Sequence, residues 1–184
     1  MAKVHNNVLV RGLKGLLGDQ LVLKTDKAGR TIVSNKPVFA SDRVFTPAQR
    51  TQQERFRLAR AYARSAKDLE IYKAKAEGTP RTPSNIAMMD WFHPPEVREI
   101  DLSEWTGQAR QPIRIRAVDD VQVKQVSVVI MNEHDAVLEQ GPATVEDDGW
   151  WTYQTRTTVA GKSKVLVAAE DLPGHVTQTV KSLN

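Results

Sequence analysis

Basic side chains recur through residues 46–67 at the spacing of one helix face. When successive residues are placed about 100° apart, the cations that share an arc of about 100° are Arg50, Arg57, Arg60, Arg64 and Lys67. Such a row can hold the phosphates of nucleic acid or the carboxylates of a protein surface. It can equally be a solvated helix face, because arginine is a good helix former. The rest of the sequence is needed to distinguish between these three interpretations.

Aspartates supply the charged chemistry of the second half. The pairs Asp119-Asp120 and Asp147-Asp148, together with Asp171, stand where turns between strands are expected. Calcium takes several oxygen ligands from converging loops, so Asp119, Asp120 and Asp171 form a calcium hypothesis. Aspartate also favours turns for local reasons, because its carboxylate accepts hydrogen bonds from the nearby backbone. We favour the local reason and expect no metal site.

Motifs for catalysis and for cofactor binding are missing from the sequence. Cysteine is absent, which excludes a disulfide framework and thiolate chemistry, and no HExxH pairs the four histidines. The glycines at 12, 15 and 18 lack the Gly-Lys-Ser/Thr ending of a phosphate loop. No G-x-S-x-G nucleophile motif occurs either. We therefore expect a protein that is not an enzyme and has no cofactor.

Two adjacent tryptophans, Trp150 and Trp151, form a second possible contact site. Neighbouring residues of a strand point to opposite faces of the sheet, so one ring is expected in the core and the other outside. The outer ring can pack on the N-terminal half or contact a partner protein. Stacking against a carbohydrate is the alternative, and we favour the protein contact.

Local signals place the basic row on a long helix. Residues 20–25 and 30–34 flank a DKAG turn and predict a β-hairpin. Thr46, Pro47 and Gln49 then form a capping-box start. The residues predicted to face the core, with Arg55 as an exception within their arc, are Phe56, Ala59, Tyr62, Ala63, Ala66 and Leu69. A short helix over residues 84–92 follows the cap Thr82-Pro83.

Strands alone are predicted after Pro95. The segments with strand character are 99–102, 113–118, 123–131, 136–140, 150–156, 163–169 and 176–182. Seven short strands without an intervening helix indicate an antiparallel β-sandwich. The predicted fold is therefore α+β with two domains. Residues 1–95 form a basic hairpin-and-helix domain, and residues 96–184 form an immunoglobulin-like β-sandwich.

The strand half resembles bacterial immunoglobulin-like domains. The resemblance rests on IRIRAVDD, VKQVSVVI, DGWWTYQT and VLVAAEDLPGHVTQTVKSL. Asp171 stands at the end of a strand in the last stretch, and Gly174 stands at the centre of its turn. The resemblance implies a cohesive, non-catalytic module of the kind found in surface and virus-particle proteins.

The N-terminal half resembles an uncharacterised family of bacterial and phage-encoded proteins. The matching stretches are GLKGLLGDQLVL, TPAQ, QERF and TPSNIAMMDWF. This resemblance implies no activity that can be carried over to particular residues.

Charge is divided unequally between the two halves. Residues 1–95 hold 17 Lys and Arg against 8 Asp and Glu, and residues 96–184 hold 9 against 14. Opposite charges on the halves favour protein contacts, including head-to-tail contacts between copies in a homo-oligomer or a larger assembly. We expect a non-catalytic structural, assembly or adhesion protein. The alternatives are nucleic-acid binding through the basic helix and an accessory carbohydrate-binding or cell-wall role.

The N-terminus and the hydropathy pattern address location. Arg11, Lys14 and Asp19 interrupt the first apolar stretch, so it does not fit a secretory signal. No stretch approaches the roughly 18 apolar residues of a membrane span. We expect synthesis in the cytoplasm without membrane insertion, with association with a virus particle or a surface appendage left open.

Overall fold

A small antiparallel sheet forms the N-terminal part of this computed structural model, which describes residues 2–4, 12–39, 44–146 and 149–183. Its strands are β1 (Ala2–Val4), β2 (Gly15–Leu17), β3 (Leu21–Thr25) and β4 (Thr31–Asn35), in the order β1-β4-β3-β2. The predicted hairpin is β3–β4. The outer strands β1 and β2 were not predicted, because three residues show too little alternation to indicate a strand.

Aspartate closes the turn between β3 and β4. The Asp26 carboxylate accepts hydrogen bonds from the backbone N–H groups of Ala28 (3.0 Å) and Arg30 (2.9 Å). It also pairs with the Arg30 guanidinium at 2.6 Å. Gly29 has φ +76°, which a residue with a side chain rarely adopts. The turn is therefore held by its own side chains, and Lys27 also donates to the Arg81 carbonyl at 2.8 Å.

Three helices follow the sheet: α1 (Pro47–Ala66), α2 (Glu70–Ala76) and α3 (Pro83–Phe92). The predicted capping box is present, since Thr46 Oγ1 accepts from the Gln49 N–H and Gln49 Oε1 accepts from the Thr46 N–H. Thr82 caps α3 through the Asn85 N–H in the same way. Both helix starts were thus predicted correctly from local side chains.

The helices share a small core at the C-terminal half of α1. Its buried residues are Ala63, Ala66, Tyr72, Ala76, Ile86 and Ala87, and Ala59 is also fully buried. Two residues of the predicted packed face are not in this core: Phe56 and Leu69 are each 50% exposed. Phe56 lies outside it because α3 ends at Phe92, whose ring is covered by the Arg55 guanidinium 5.5 Å away.

Eight strands complete the chain. They are β5 (Glu96–Asp101), β6 (Pro112–Val118), β7 (Val123–Asn132), β8 (Val137–Pro142), β9 (Thr144–Val145), β10 (Trp150–Gln154), β11 (Ser163–Asp171) and β12 (Val176–Leu183). Seven match the predicted strands, and the two-residue β9 was missed. The strand β5 begins three residues earlier than predicted, because Glu96 and Arg98 obscure its apolar alternation.

The eight strands form two antiparallel sheets, β5-β6-β10-β9 and β12-β11-β7-β8. Lettered in chain order with one C′ strand, the sheets read A-B-E-D and G-F-C-C′, the strand order of an immunoglobulin-type sandwich. Alternate residues of β6, β7 and β11 are buried between the sheets, with Trp105, Trp151 and Tyr153 as the large rings of the core. The alternation that predicted the sandwich is thus the pattern that fills it.

A buried glutamate connects the two sheets at one edge. Glu139 on β8 accepts hydrogen bonds from Tyr153 Oη (2.7 Å), the Arg156 N–H (2.8 Å), the Thr157 N–H (2.9 Å) and Thr157 Oγ1 (2.6 Å). Burial alone would raise the pKa of Glu139, but the hydrogen bonds from Thr157, Tyr153 and Arg156 lower it below its ordinary value. The ionised form of Glu139 is therefore more stable in the folded protein than in the unfolded chain.

We expect Glu139→Gln to lower the free energy of unfolding by about 2 kcal/mol, because an amide leaves some of these buried donors without an acceptor. The contribution of the wild-type carboxylate is complete above the ordinary glutamate pKa of 4.5 and is lost as the pH falls through the lowered value. Urea denaturation between about pH 3 and about pH 7 measures both effects. Glu133→Gln, at an exposed turn, is the control, and equal losses for both variants would show the prediction to be wrong.

Candidate functional site

The first three turns of α1 extend beyond the helical core. Every residue from 46 to 58 is exposed, including Phe56 and Leu58, which is 43% exposed. Burial on α1 begins at Ala59, where α3 starts to cover the helix. Apart from the Arg55 contact with Phe92, a helical segment with its side chains exposed on all sides receives little packing energy from the described part of the chain. It depends on the capping box and on the packed half of α1 to stay helical.

All five cations predicted to form the basic row are exposed. Arg57 pairs with Glu54, its Nε lying 2.8 Å from Glu54 Oε2, and Lys67 lies 3.7 Å from the Asp68 carboxylate. Within the part of the chain that the structure describes, the side chains of Arg50, Arg60 and Arg64 have no carboxylate partner. The row therefore contains three guanidinium groups whose binding capacity is not used within the chain.

A shallow apolar cleft lies at the start of the same helix. It encloses about 380 Å³ and is lined by Phe45, Gln49, Gln52, Gln53 and Phe56. Two aromatic rings beside amide groups can bury the apolar side chain of a partner while the amides satisfy polar atoms at the edge. Arg55, the cation that fell within the predicted apolar arc, does not disturb this cleft because it stacks on Phe92.

The two adjacent tryptophans take opposite faces, as predicted. Trp151 is buried in the core of the sandwich. Trp150 is on the outer face, where the guanidinium carbons of Arg114 and Arg116 lie 4.9 Å and 6.0 Å from the centre of its ring. Both arginines belong to the adjacent strand β6. Trp150 thus packs on arginines of its own sheet, and its role in binding a partner remains a prediction.

Each aspartate of the calcium hypothesis contacts a different partner. Asp119 Oδ2 accepts from two backbone N–H groups of its own turn, Asp120 pairs with His93 (2.6 Å), and Asp171 pairs with His175 (2.9 Å). Across residues 12–39, 44–146 and 149–183, no three Asp, Glu or His side chains are placed to hold a metal ion. The geometry does not support calcium binding by Asp119, Asp120 and Asp171. Asp147-Asp148 lies outside the described residues.

A buried polar chain at the base of the helices was not predicted. Tyr62 Oη lies 2.6 Å from Tyr72 Oη, and Tyr72 donates to Asp90 Oδ2 at 2.5 Å. Asp90 is fully buried. Burial and the nearby Asp119 and Asp171 carboxylates raise the pKa of Asp90 to about 7, although the Tyr72 hydrogen bond acts in the opposite direction. The sequence signal was a lone aspartate in the apolar stretch IAMMDWF.

A polar cleft of about 550 Å³ lies beside β10. Its lining includes Arg110, Arg156, Gln154 and the hydroxyl of Thr152, which donates to Glu146 at 2.6 Å. These groups can bind an anion or a hydroxyl-rich molecule. Glu146 is the carboxylate among the lining residues, and it also lies 3.6 Å from Arg114 Nη2.

Comparisons with solved structures match about half of this chain. No family model matches the chain, and no curated protein matches it. A solved engineered protein is similar at 21% identity and TM-score 0.39, over 48% of this chain and 19% of that one. CopC from Methylosinus trichosporium OB3b is similar at 15% identity and TM-score 0.37, over 48% of this chain and 89% of its own.

A tandem repeat from the extending region of a large adhesion protein is similar at 18% identity and TM-score 0.34. This match covers 48% of the present chain and 22% of the adhesion fragment, so the chain spans about a fifth of that protein and of the engineered one. At TM-scores below 0.5 these likenesses do not indicate what the chain binds. None of the helices in the described parts of the chain is long and apolar enough to cross a membrane.

We expect Phe56→Ala to change the free energy of unfolding by less than about 1 kcal/mol, because half of the ring already contacts solvent. Ala63→Leu should cost about 1–3 kcal/mol, since a larger side chain at this fully buried position separates α1 from α3. Chemical denaturation of both variants measures the difference. A loss for Phe56→Ala as large as that for Ala63→Leu would mean that Phe56 is packed and is not available to a partner.

Proposed function

We propose that this protein is a non-catalytic assembly protein whose α1 helix binds the acidic sandwich of a second copy. The observation that carries the proposal is the exposure of every residue over the first three turns of α1. Isolated helices of roughly 12–15 residues or fewer are marginal in water, and most helical stability in proteins comes from packing. A partner that covers residues 47–58 would supply the packing that the described part of the chain does not provide for this segment.

Charge complementarity supports a second copy as the partner. Along α1, Arg50 lies on the exposed start and Arg60 and Arg64 lie on the outer face of the packed half, all three without carboxylate partners among the described residues. Residues 96–184 carry an excess of 5 acidic groups, and residues 1–95 carry an excess of 9 basic groups. Complementary charge sets the register and the rate of association more than the affinity. It therefore explains why these two surfaces should find each other, while apolar contacts must hold them together.

The apolar contribution comes from the cleft on α1. Phe56 of the cleft is half exposed, and full burial of one such side chain contributes roughly 1.5–3 kcal/mol. Leu58, which lies outside the cleft on the same helical segment, is also substantially exposed. The sandwich also exposes apolar side chains, among them Val137, Val176 and Val180. A contact between two aromatic or aliphatic patches with a rim of opposite charges has the usual anatomy of a protein interface.

The proposed contact joins different surfaces on the two copies. Residues 1–95 provide the helix, and residues 96–184 provide the sandwich, as two separate domains of the same chain. A contact between unlike surfaces is heterologous, so repetition yields a ring when the rotation closes and a filament when it does not. We infer an assembly or adhesion role from such a contact, and we propose a virus particle or a surface appendage as its setting.

Nucleic-acid binding is the second candidate function. The observation that favours it is the row of cations on one face of α1, since arginines spaced along a helix can contact successive phosphates. The cleft next to this row is lined by two aromatic rings and three glutamines, so the row lies beside an apolar contact site. We therefore place the protein partner first and include DNA as an arm of the test.

We expect the wild-type protein to self-associate at about 0.05 M salt and to dissociate at about 0.5 M salt, because exposed charge pairs are screened. Arg60→Glu with Arg64→Glu should weaken association by roughly tenfold or more. Size-exclusion chromatography with light scattering measures the mass of each species. The control, Lys24→Glu with Lys162→Glu, makes the same change in net charge at exposed sites outside α1 and should associate like the wild type.

Each remaining outcome is informative. A monomeric mass at low salt and high concentration would refute self-assembly. A DNA-dependent increase in mass that Arg60→Glu with Arg64→Glu abolishes, without association in the absence of DNA, would support the nucleic-acid alternative. Equal behaviour of the two double variants would show that net charge, and not the α1 surface, controls association.

A further inference from the structure

A carboxyl group without a complete set of partners is enclosed where the helices meet the sandwich. Asp90 lies near the end of α3 and is fully buried. Its Oδ2 accepts the Tyr72 hydroxyl at 2.5 Å, and Tyr72 in turn contacts Tyr62. Its Oδ1 is buried and, among the described residues, receives no hydrogen bond. A buried carboxylate with an unpaired oxygen is costly, so the ionised form of Asp90 is poorly accommodated.

Asp119, on the sandwich side of the junction, is a second carboxyl group with one buried oxygen that lacks a hydrogen-bond donor among the described residues. Asp119 follows β6, and its Oδ2 accepts the backbone N–H groups of Val121 and Gln122 at 3.0 Å each. Its Oδ1 is also buried without a donor from the described residues. The Asp119 carboxyl interacts with that of Asp90 and is one of the causes that raise the pKa of Asp90. Two ionised carboxylates that interact in this way repel each other, whereas one shared proton would supply the hydrogen bond that both buried Oδ1 atoms lack.

The groups around the pair do not supply a cation to it. Asp171 is fully buried nearby and uses its own oxygens for the His175 backbone N–H (2.6 Å) and the His175 ring (2.9 Å). The His175 ring in turn packs edge-on against Trp91 at 5.2 Å. The Asp171 carboxylate therefore adds negative charge near Asp90. The His175 ring contacts Asp171 and Trp91, and not the Asp90–Asp119 pair.

The remaining charged groups of the junction lie on its outer side. His93, just after α3, contacts the Asp120 carboxylate at 2.6 Å. Lys75 of α2 donates to the Asp120 backbone carbonyl at 2.9 Å. Val121 and Leu172 from the sandwich loops pack against the helical core beside them. These contacts hold the helices to the sandwich, and the Asp90–Asp119 pair lies beneath them.

We propose that Asp90 and Asp119 share one proton, which latches the helices to the end of the sandwich and is released as the pH rises, loosening the junction. The proton forms an O–H···O hydrogen bond from Asp90 to Asp119 that connects α3 to the β6–β7 loop. Its loss leaves two facing negative charges with a third at Asp171. The expected response is a local separation of two otherwise folded parts.

The direction of the pH dependence follows from linkage. Burial, reinforced by the Asp119 and Asp171 charges, raises the pKa of Asp90 to about 7 from its ordinary value of 3.8. Between these values the folded state holds a proton that the unfolded chain has released, so stability falls as the pH rises through this window. The loss is complete above the folded pKa. This slope is opposite to that of a salt-bridged aspartate.

Asp90→Asn provides the main test, because an asparagine can accept from Tyr72 and donate to Asp119 without a titrating proton. We expect the unfolding constant of the wild type to rise by roughly thirty-fold from about pH 5.5 to about pH 8.5 through this group, and that part of the dependence to vanish in Asp90→Asn. Histidines also change charge in this range, so the difference between the two proteins is the quantity to measure. Asp135→Asn, which removes an exposed carboxylate in the β7–β8 turn at the opposite end of β7, should keep the slope of the wild type.

Amide hydrogen exchange locates the effect. After correction for intrinsic rates, protection of the Val121 and Gln122 amides should fall with rising pH in the wild type and stay constant in Asp90→Asn. Protection in the middle of β7 and β11 should stay constant in both proteins, because these strands form the centre of their sheet. Parallel stability profiles for wild type and Asp90→Asn, or uniform loss of protection across the chain, would overturn the latch.

Two measurements keep the test decisive if Asp90→Asn fails to fold. A carbon-13 titration of the wild-type Asp90 carboxyl should show a midpoint near pH 7, and a midpoint below about pH 5 would refute the shared proton. Asp119→Asn should shift that midpoint down, because it replaces the facing carboxylate with a donor. Millimolar CaCl₂ or MgCl₂ should have no effect at about pH 8.5, and stoichiometric binding that restores stability would identify the oxygens as cation ligands instead.

Discussion

Close contact between α1 and α3 is the constraint on which the rest of the N-terminal half depends. Ala59, Ala63 and Ala66 present almost no side chain, so α3 approaches the C-terminal half of α1 directly. This approach carries Asp90 into the junction beneath Tyr72. It also fixes where α3 ends on α1, which leaves the first three turns uncovered. The burial of Asp90 and the exposure of the first three turns of α1 therefore both follow from the way α3 packs on α1.

The junction shows why the two halves need not be joined by a large apolar interface. Among the described residues, Val121, Leu172 and the Trp91–His175 ring pair make the apolar and aromatic contacts across it. Asp120, His93 and Lys75 make polar contacts. Interfaces between domains of one chain are commonly small and polar, which favours relative motion. A single buried proton can matter in such an interface because few other interactions compete with it. In the core of the sandwich, the same proton would change little.

The sequence predicted the fold better than the surfaces. Seven short strand segments without an intervening helix predicted the sandwich, and Thr46 and Thr82 marked the starts of α1 and α3, because these signals are local. The exposure of Phe56 was not predicted, since helical periodicity shows which residues share a face but not how far a neighbouring helix extends along it. The contacts of Glu139 and Asp90 were missed for a related reason. Their partners are 14 or more residues away, and only the folded chain brings them together.

The excess of basic residues in the N-terminal half indicates a binding surface only because basic side chains of α1 are also exposed. A basic half could have paired its arginines internally, as Arg57 does with Glu54 and Arg30 does with Asp26. Arg50 instead lies on the exposed start of α1, Arg60 and Arg64 continue the same row on the outer face of its packed half, and two aromatic rings lie beside the row. Solvated arginines on a fully packed helix would need no partner, and an apolar cleft without charge would not discriminate between partners. The two features occur together on residues 45–64, and this coincidence is the physical reason to treat the start of α1 as an interaction surface.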